Sequence, residues 1–218
     1  MAAWELAAFD LYGTLLDIAG LAARMRPVAG EGAAALLARW RKAQLERTWT
    51  LNREGRYEPW DRVTLEALGS VAPDLSTRDR HSLCELWLTV PAFPDAGPAL
   101  AQIRGLGVRT AVLSNGTRLM IEAALLAAGL EIDRVLSADD VRVFKTDPRV
   151  YALLDAEGAR ERTLFVSANG WDAAGAGREG RLVAWLDRGG EPPDTAPTYR
   201  ARSLSRVADI LRWRPPGA

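Results

Sequence analysis

Asp10 directly follows the first apolar run of the chain, Leu6–Phe9, and Gly13 comes three residues later. The run predicts a buried strand, and the glycine allows the chain to turn where that strand ends. Ligands of open α/β sheets bind just beyond the carboxyl ends of the strands. Asp10 is therefore a candidate catalytic carboxylate, although an Asp after a strand is also a common turn former or helix N-cap.

Polar side chains follow the other apolar runs in the same way, and a lysine lies near one of them. Each alone has a turn explanation, because Ser, Asn, Asp and Gly are common turn residues. Parallel strands bring their carboxyl ends to one crevice, so four such ends combined with one lysine favour an active site. Its candidate residues, strand by strand, are Asp10, Tyr12 and Thr14; Ser114 and Asn115; Lys145; and Ser167, Asn169 and Asp172.

The segments that must position these groups alternate between strand and helix. Strands are predicted at 6–9, 108–113, 134–137, 164–166 and 182–185. Helices are predicted at about 30–54, 60–68, 77–88, 97–103, 118–128 and 149–156, with one more beginning at 172. This order predicts an α/β fold in which helices cover both faces of a doubly wound parallel sheet.

A helical block of about 75 residues separates the first predicted strand from the second. An insertion after strand one that forms a small helical cap explains this spacing. We therefore predict an α/β core domain of residues 1–15 and 92–218 and a helical cap subdomain of residues 16–91. The tail, residues 214–218, is expected to fray.

The composition argues against several classes of function. The chain has 218 residues, 48% of them hydrophobic, and its 28 basic and 28 acidic residues give a net charge of +0. Because there is no basic excess, no nucleic-acid or anionic membrane partner is expected. No apolar run reaches the ~18 residues of a membrane span, and the N-terminus lacks a secretory signal pattern, so a cytoplasmic location is expected.

The chain holds one cysteine, Cys84, and one histidine, His81. We interpret Cys84 as a small core residue and His81 as a solvated helix position. A single histidine argues against both a Ser-His-Asp triad and a multi-histidine zinc site. No metal or other cofactor is expected.

Five stretches carry a resemblance to a known family: Phe9–Leu15, Trp40–Glu46, Leu113–Gly116, Val143–Lys145 with Pro148–Tyr151, and Val166–Ala173. Over almost its full length, the chain resembles the haloacid dehalogenase superfamily, with its Rossmann-like core. More narrowly, it resembles the L-2-haloacid dehalogenases, mainly through Tyr12, Arg41 and the motif from Asn169 to Asp172. The resemblance implies hydrolysis of short 2-haloalkanoic acids to 2-hydroxy acids with inversion at C2, and a homodimer.

Tyr12 supports this narrower resemblance on chemical grounds. The phosphatases of the superfamily have a second Asp two residues after the nucleophile. This second acid protonates a leaving alkoxide, while a magnesium ion offsets the phosphate charge. A halide leaves as a stable anion and needs no proton. A haloacid carries one charge and needs no divalent cation. Tyr12 in place of the second acid therefore favours a carbon–halogen bond over a phosphoester.

The resemblance also implies a role for each site residue. Asp10 is the nucleophile that forms an aspartyl ester. Arg41 and Asn115 hold the departing halide. The substrate carboxylate is held by Ser114, Lys145 and the backbone amides beside Asp10, those of Leu11 and Tyr12.

The remaining residues act on the attacking water or hold the catalytic side chains in place. Asp172, supported by Asn169, positions or deprotonates the water. Thr14 and Ser167 hold the nucleophile and Lys145, and Tyr151 bonds near Lys145 or Asp172. An apolar pocket wall is formed by Tyr12, Leu45, Trp60 and Trp171, for which core packing is the alternative.

Arg41 also has support from the helix pattern, because it interrupts the apolar stripe between Leu37 and Leu45. The alternative is an arginine whose charged head extends to water past an apolar stem. Four positions depart from the family pattern without removing a proposed catalytic group: Lys42, Thr146, Ala168 and Gly170. Two other functions stay open, a superfamily phosphatase and a catalytically silent interaction protein on the same scaffold.

Overall fold

Six parallel strands form one sheet at the centre of the computed structural model, which describes residues 3–213. The strand order is β3-β2-β1-β4-β5-β6, and each pair of neighbours is parallel. The strands are β1 (Leu6–Phe9), β2 (Arg109–Ser114), β3 (Arg134–Ser137), β4 (Thr163–Ser167), β5 (Leu182–Leu186) and β6 (Tyr199–Ala201). The predicted doubly wound α/β fold is confirmed.

Strand β1 shows why the first apolar run is continuous instead of alternating. Its four residues are fully buried, with Leu6 and Ala8 in one core cluster and Ala7 and Phe9 in the other. Both faces of the strand are therefore covered, as in other parallel sheets with helices on both sides. Because β1 lies between β2 and β4, the chain order reverses beside it, and ligands bind at such a point.

Nine helices surround the sheet in residues 3–213. Four of them lie between β1 and β2: α1 (Leu21–Ala29), α2 (Ala33–Arg53), α3 (Trp60–Val71) and α4 (Thr77–Glu85). The others are α5 (Ala96–Gly105), α6 (Arg118–Ala127), α7 (Pro148–Ala152), α8 (Gly170–Arg178) and α9 (Leu204–Ile210). None of the helices described is long and apolar enough to cross a membrane.

The chain enters and leaves the helical segment α1–α4 through two neighbouring connections. The Asp17 amide donates to the Pro91 carbonyl at 2.7 Å, and the Phe93 amide donates to the Leu15 carbonyl at 2.9 Å. These contacts lie at the predicted boundaries near residues 15 and 92. The division into a core and a cap subdomain itself stays a prediction.

Three elements were not predicted: α1, β6 and α9. Helix α1 contains Pro27 and buries only Leu21 and Met25, so its periodic signal is weak. Strand β6 has three residues, too few to show an alternation. Helix α9 is capped by Ser203, whose side chain accepts from the Arg206 amide, and this signal was available in the sequence.

Two single residues match their predicted surroundings. Cys84 packs against the core, and burial raises the pKa of its thiol to about 12, which disfavours the nucleophilic thiolate. His81 is exposed on α4. The tail at 214–218, predicted to fray, lies outside the described residues.

Candidate active site

Asp10 lies immediately beyond β1 and is almost fully buried, with 6% of its surface exposed. Its Oδ2 accepts hydrogen bonds from Thr14 Oγ1 at 2.9 Å and from Asn169 Nδ2 at 2.8 Å. Its Oδ1 accepts from Lys145 Nζ at 3.0 Å. The backbone amide of Asp10 donates to Val166 of β4, which fixes the residue at the reversal point of the sheet. The carboxylate is therefore held from three sides.

The Lys145 ammonium joins two buried carboxylates. Its Nζ lies 3.0 Å from Asp10 Oδ1 and 2.8 Å from Asp172 Oδ2, and the side chain is 1% exposed. Burial opposes the charge, but the attraction of both carboxylates outweighs it and raises the pKa of Lys145. Lys145 therefore stays protonated, and its charge offsets the negative charges of Asp10 and Asp172.

Asp172 lies in the first turn of α8 and is fully buried. Burial and the nearby Asp10 raise its pKa, although Lys145 and Tyr151 oppose the shift. Tyr151 donates from its hydroxyl to Asp172 Oδ1 at 2.8 Å, as predicted, and Ser167 Oγ donates to Asp172 Oδ2 at 2.9 Å. This raised pKa suits a group that must accept a proton.

Two supporting residues have different partners from those predicted. Ser167 was expected to hold Lys145, but its hydroxyl donates to Asp172. Asn169 was expected to support Asp172, but its Nδ2 donates to Asp10 and, at 3.2 Å, to the Tyr12 carbonyl. The reason is charge: the lysine needs acceptors, which the two carboxylates provide, and the carboxylates need donors, which Ser167 and Asn169 provide.

The β2 end of the sheet adds Ser114 and Asn115. Asn115 Oδ1 accepts from the Lys145 backbone amide at 2.9 Å. This bond fixes the orientation of the side-chain amide, whose Nδ2 finds no acceptor among residues 3–213. Ser114 Oγ accepts from the Gly116 amide at 3.2 Å, which leaves its hydroxyl proton as a donor.

Arg41 approaches from α2 and has no carboxylate within 4.0 Å among the described residues. Its guanidinium carbon lies 5.8 Å from the ring centroids of both Trp60 and Trp87, and its closest polar contact is Gln44 Oε1 at 3.5 Å. Burial lowers the pKa of Arg41, although the nearby Asp10 opposes this shift. A half-buried guanidinium that is partly desolvated and has no carboxylate partner favours an anionic ligand.

These groups line a narrow cavity with about 10 Å³ of space for the centre of a water-sized sphere, enough for about one water molecule. It is lined by Asp10, Tyr12, Arg41, Trp60, Ser114, Asn115, Gly116, Lys145 and Trp171. Three of the four predicted wall residues therefore line it. The fourth, Leu45, is half-buried and does not line it, and neither does the side chain of the fully buried Leu11.

Tyr12 does not offer a proton to this cavity. Its hydroxyl donates to the Trp87 carbonyl at 3.1 Å, while its ring lines the cavity. Burial raises the pKa of the hydroxyl well above the ordinary value for tyrosine. Tyr12 is therefore a wall and not an acid for a leaving group.

Sequence reasoning missed two residues that support the site. Arg188 donates to the Thr14 carbonyl at 3.2 Å and pairs with Asp95 at 2.9 Å, which steadies the turn after Asp10. Gln44 is fully buried beside Arg41 and donates to Thr64 Oγ1 at 3.0 Å. Gln44 had a signal, a polar residue one turn after Arg41 on a helix. Arg188 had none.

In residues 3–213, no group of three or more His, Cys, Asp or Glu side chains is arranged to hold a metal ion. The two carboxylates at this end of the sheet, Asp10 and Asp172, have the Lys145 ammonium between them. The charge that a divalent cation would supply between them is supplied by a side chain.

The comparisons with known proteins agree with this geometry. Residues 4–180 match the family model of the haloacid dehalogenase-like hydrolases. An (S)-2-haloacid dehalogenase of Pseudomonas sp. (strain YL) is 35% identical over 94% of this chain and 93% of its own. Haloacetate dehalogenase H-2 of Moraxella sp. (strain B) is 34% identical over 85% and 87%.

A solved structure extends the similarity to three dimensions. L-2-haloacid dehalogenase from Xanthobacter autotrophicus, with chloropropionic acid covalently bound, superposes with a TM-score of 0.91 at 27% identity. The match covers 96% of this chain and 98% of that one. The chain belongs to the haloacid dehalogenase-like hydrolase family, and within it to the L-2-haloacid dehalogenases.

Proposed function

We propose that this protein hydrolyses short 2-haloalkanoic acids to 2-hydroxy acids, with Asp10 as the nucleophile. The observation that carries this proposal is the composition of the cavity: one buried carboxylate faces an unpaired guanidinium, and no second acid is present to protonate a leaving group. Such a cavity suits a substrate that brings one carboxylate and releases one halide anion.

In the first step, an Asp10 oxygen attacks C2 of the substrate from the side opposite the halogen. A carbon–oxygen bond forms, the carbon–halogen bond breaks, and the halide leaves with the electron pair. Arg41 and the free Nδ2 of Asn115 stabilise the departing anion in a site that excludes most water. The step requires no proton transfer, which agrees with the role of Tyr12 as a wall.

The substrate carboxylate lies toward the ends of β1 and β2. The Ser114 hydroxyl, the Lys145 ammonium and the backbone amides of Leu11 and Tyr12 bind it there. This arrangement places the carboxylate and the halide at opposite ends of the cavity, with C2 between them and within reach of Asp10. Orientation of this kind accounts for a large part of the barrier reduction in displacement reactions.

In the second step, water attacks the ester carbonyl carbon of Asp10. Asp172 accepts the proton of the water, and its raised pKa makes it a better base than an ordinary aspartate. The bond between the carbonyl carbon and the substrate oxygen then breaks, and the leaving alkoxide takes up the proton from Asp172, which releases the 2-hydroxy acid. The Asp10 carboxyl loses its remaining proton to solvent, which regenerates the carboxylate. The bond to C2 is not touched in this step, so the product keeps the inverted configuration of the ester.

The narrow cavity favours small substrates, and we assign it those of two or three carbons. The cavity has about 10 Å³ of space for the centre of a water-sized sphere and is bounded by Tyr12, Trp60 and Trp171, so it leaves little space for a longer alkyl chain. Haloacetates and 2-halopropionates are therefore the expected substrates. A relative of this chain is named for haloacetates, which supports their inclusion.

Three further properties belong to the proposal. Helices α1–α4 act as a cap that carries Arg41 and Trp60 over the core, because the cavity is lined from both parts. The protein acts as a homodimer, as the family resemblance implies, and in the cytoplasm, whose reducing conditions fit a chain with the single cysteine Cys84. A phosphatase is not favoured, because the cavity holds neither a second acid after Asp10 nor an open position between Asp10 and Asp172.

The proposal is tested by halide release from chloroacetate, fluoroacetate and each enantiomer of 2-chloropropionate, without added metal. We expect release from chloroacetate and from one 2-chloropropionate enantiomer, and a loss of at least about 10⁴-fold in Asp10→Asn. A single turnover in heavy-oxygen water should place the label in Asp10, as read by peptide mass. Full activity of Asp10→Asn, or label that enters only the product, would contradict the covalent route.

A further inference from the structure

The side chain of Asn52 forms two hydrogen bonds with the backbone of the residue before Lys145. Asn52 Nδ2 donates to the Phe144 carbonyl at 2.8 Å, and the Phe144 amide donates to Asn52 Oδ1 at 3.0 Å. Asn52 is in the last turn of α2, which also carries Arg41. One side chain therefore connects the helix of the unpaired guanidinium to the loop of the catalytic ammonium.

The positions of Arg41 and Asn52 on α2 are geometrically related. They are eleven residues apart, which at 100° per residue is three full turns and about 20°, so they share one face of the helix. The rise between them is about 16 Å. Rotation of α2 about its axis would therefore displace both side chains together, and a bond at Asn52 restrains Arg41.

The loop on the other side of this contact is held in the same way. The Lys145 amide donates to Asn115 Oδ1 at 2.9 Å, and the Phe144 amide just before it donates to Asn52 Oδ1. Two successive backbone amides are thus bound by two asparagine side chains, one from the core and one from α2. The Lys145 ammonium at the end of this backbone reaches both Asp10 and Asp172.

We propose that Asn52 is a positioning residue that sets the placement of Arg41 relative to Lys145, and hence of the halide site relative to the nucleophile. This inference rests on the function proposed above. A neutral amide is needed because it donates and accepts at once, whereas an ionised carboxylate cannot donate and an alkyl group can do neither. Neither Arg41 nor Lys145 bonds to Asn52, so its effect passes through the backbone.

A second link between the same parts provides the matched control. The Tyr57 hydroxyl, four residues beyond α2, donates to Asp139 Oδ1 at 2.6 Å, and its ring stacks on the Phe144 ring at 5.1 Å. Tyr57→Phe removes this hydrogen bond and keeps the ring. It weakens the attachment of α2 to the core without touching the backbone at Phe144.

The first experiment compares Asn52→Leu with Tyr57→Phe and wild type. We expect Asn52→Leu to lower kcat for chloroacetate by about tenfold to a hundredfold, with a smaller change in KM, because misplaced reacting groups slow the step more than binding. Tyr57→Phe should keep kcat within about twofold at a similar loss of Tm. Equal losses of kcat in the two variants would overturn the proposal.

Asn52→Asp allows a measurement, the pH dependence of kcat, that a purely structural role of Asn52 would not change. A protonated carboxyl both donates and accepts, as the amide does, whereas the ionised form repels the Phe144 carbonyl. The ratio of variant to wild-type kcat should therefore rise as the pH falls through the pKa of the new carboxyl. A ratio that does not change with pH would overturn the proposal.

Hydrogen–deuterium exchange of residues 142–147 separates this inference from the proposed function. Faster exchange in Asn52→Leu than in Tyr57→Phe is expected whether or not the protein releases halide. Wild type without activity on any haloacid would remove the proposed function, and exchange alone would then decide whether Asn52 holds the loop. Equal exchange in the two variants would show that it does not.

Discussion

The two sides of the cavity treat charge in opposite ways. On the side of the sheet, Asp10, Lys145 and Asp172 form a continuous chain of ion pairs at 2.8–3.0 Å, with hydrogen bonds from Thr14 and Tyr151. On the side of the helical segment, Arg41 faces two tryptophan rings and has no carboxylate partner among the described residues. The three charged residues of the sheet side are buried, whereas Arg41 is half-buried.

The difference indicates that the protein itself neutralises the charges on the sheet side, whereas the charge of Arg41 is left for a ligand to neutralise. Loss of one partner of a buried ion pair strongly destabilises a protein, whereas a partly desolvated cation that never had a partner already costs stability in the free protein. Such a cost persists at functional sites. We infer that the sheet side is organised to keep Asp10 reactive and that the helical side is organised to receive an anion.

The largest effect is expected from Lys145→Met, which removes the cation between Asp10 and Asp172. It leaves Asp10 and Asp172 facing each other, and the free energy of unfolding should fall by about 3–5 kcal/mol at neutral pH. Halide release should fall below detection, because the same ammonium binds the substrate carboxylate. Denaturant melts and halide assays measure the two effects.

The pH dependence of this variant checks its cause. Without the ammonium, the folded protein binds a carboxyl proton more tightly than the unfolded chain does. Stability should then be higher at low pH and fall as the pH rises through the raised pKa. The added change Asp172→Asn should restore part of the stability at neutral pH, and failure to do so would mean that the two carboxylates do not repel each other.

A smaller and different effect is expected from Arg41→Met. The loss of one donor to a leaving anion lowers kcat/KM by about 10²–10³-fold. Because no ion pair is broken, Tm should stay the same or rise. A Tm loss as large as that of Lys145→Met would show that Arg41 has a structural partner, and the contrast between the two sides would fail.

The smallest effect is expected from Tyr151→Phe, which removes one hydrogen bond to Asp172. In wild type, activity should decline on the acid side above the ordinary range for aspartate, because burial raises the pKa of Asp172. The tyrosine hydroxyl stabilises the ionised carboxylate. Its loss should move this acid limb up by about one pH unit and lower kcat by up to about tenfold. If the acid limb of the pH profile does not move, Tyr151 does not affect the pKa of the catalytic base.

The sheet side of the site was largely predictable from the sequence, because several of its residues come soon after a strand. Asp10 follows β1, Asn115 follows β2, and Asn169 and Asp172 follow β4. In a parallel sheet these ends lie at one edge whatever the details of packing. The local pattern of each strand therefore determines that its polar residue reaches the crevice.

The helical side was less predictable, because a helix pattern gives a face but not its partner. The sequence identified Arg41 as an interruption of an apolar stripe, but nothing in it indicated that Trp87 lies beside the guanidinium. Leu45, one turn after Arg41, was expected to line the cavity and does not. Asn52 had no predicted role, since its partner Phe144 lies far along the chain, and Gln44 was overlooked although it comes one turn after Arg41.

The sequence by itself determined the parallel α/β fold, the edge of the sheet at which chemistry occurs and the absence of a second acid after Asp10. These features depend on local residue order and on the period of two or 3.6 residues. The tertiary structure alone decided that Ser167 donates to Asp172, that Asn169 donates to Asp10, and that Lys145 lies between the two carboxylates. Such choices depend on distances of a few ångströms between remote segments, and a linear order of residues does not contain them.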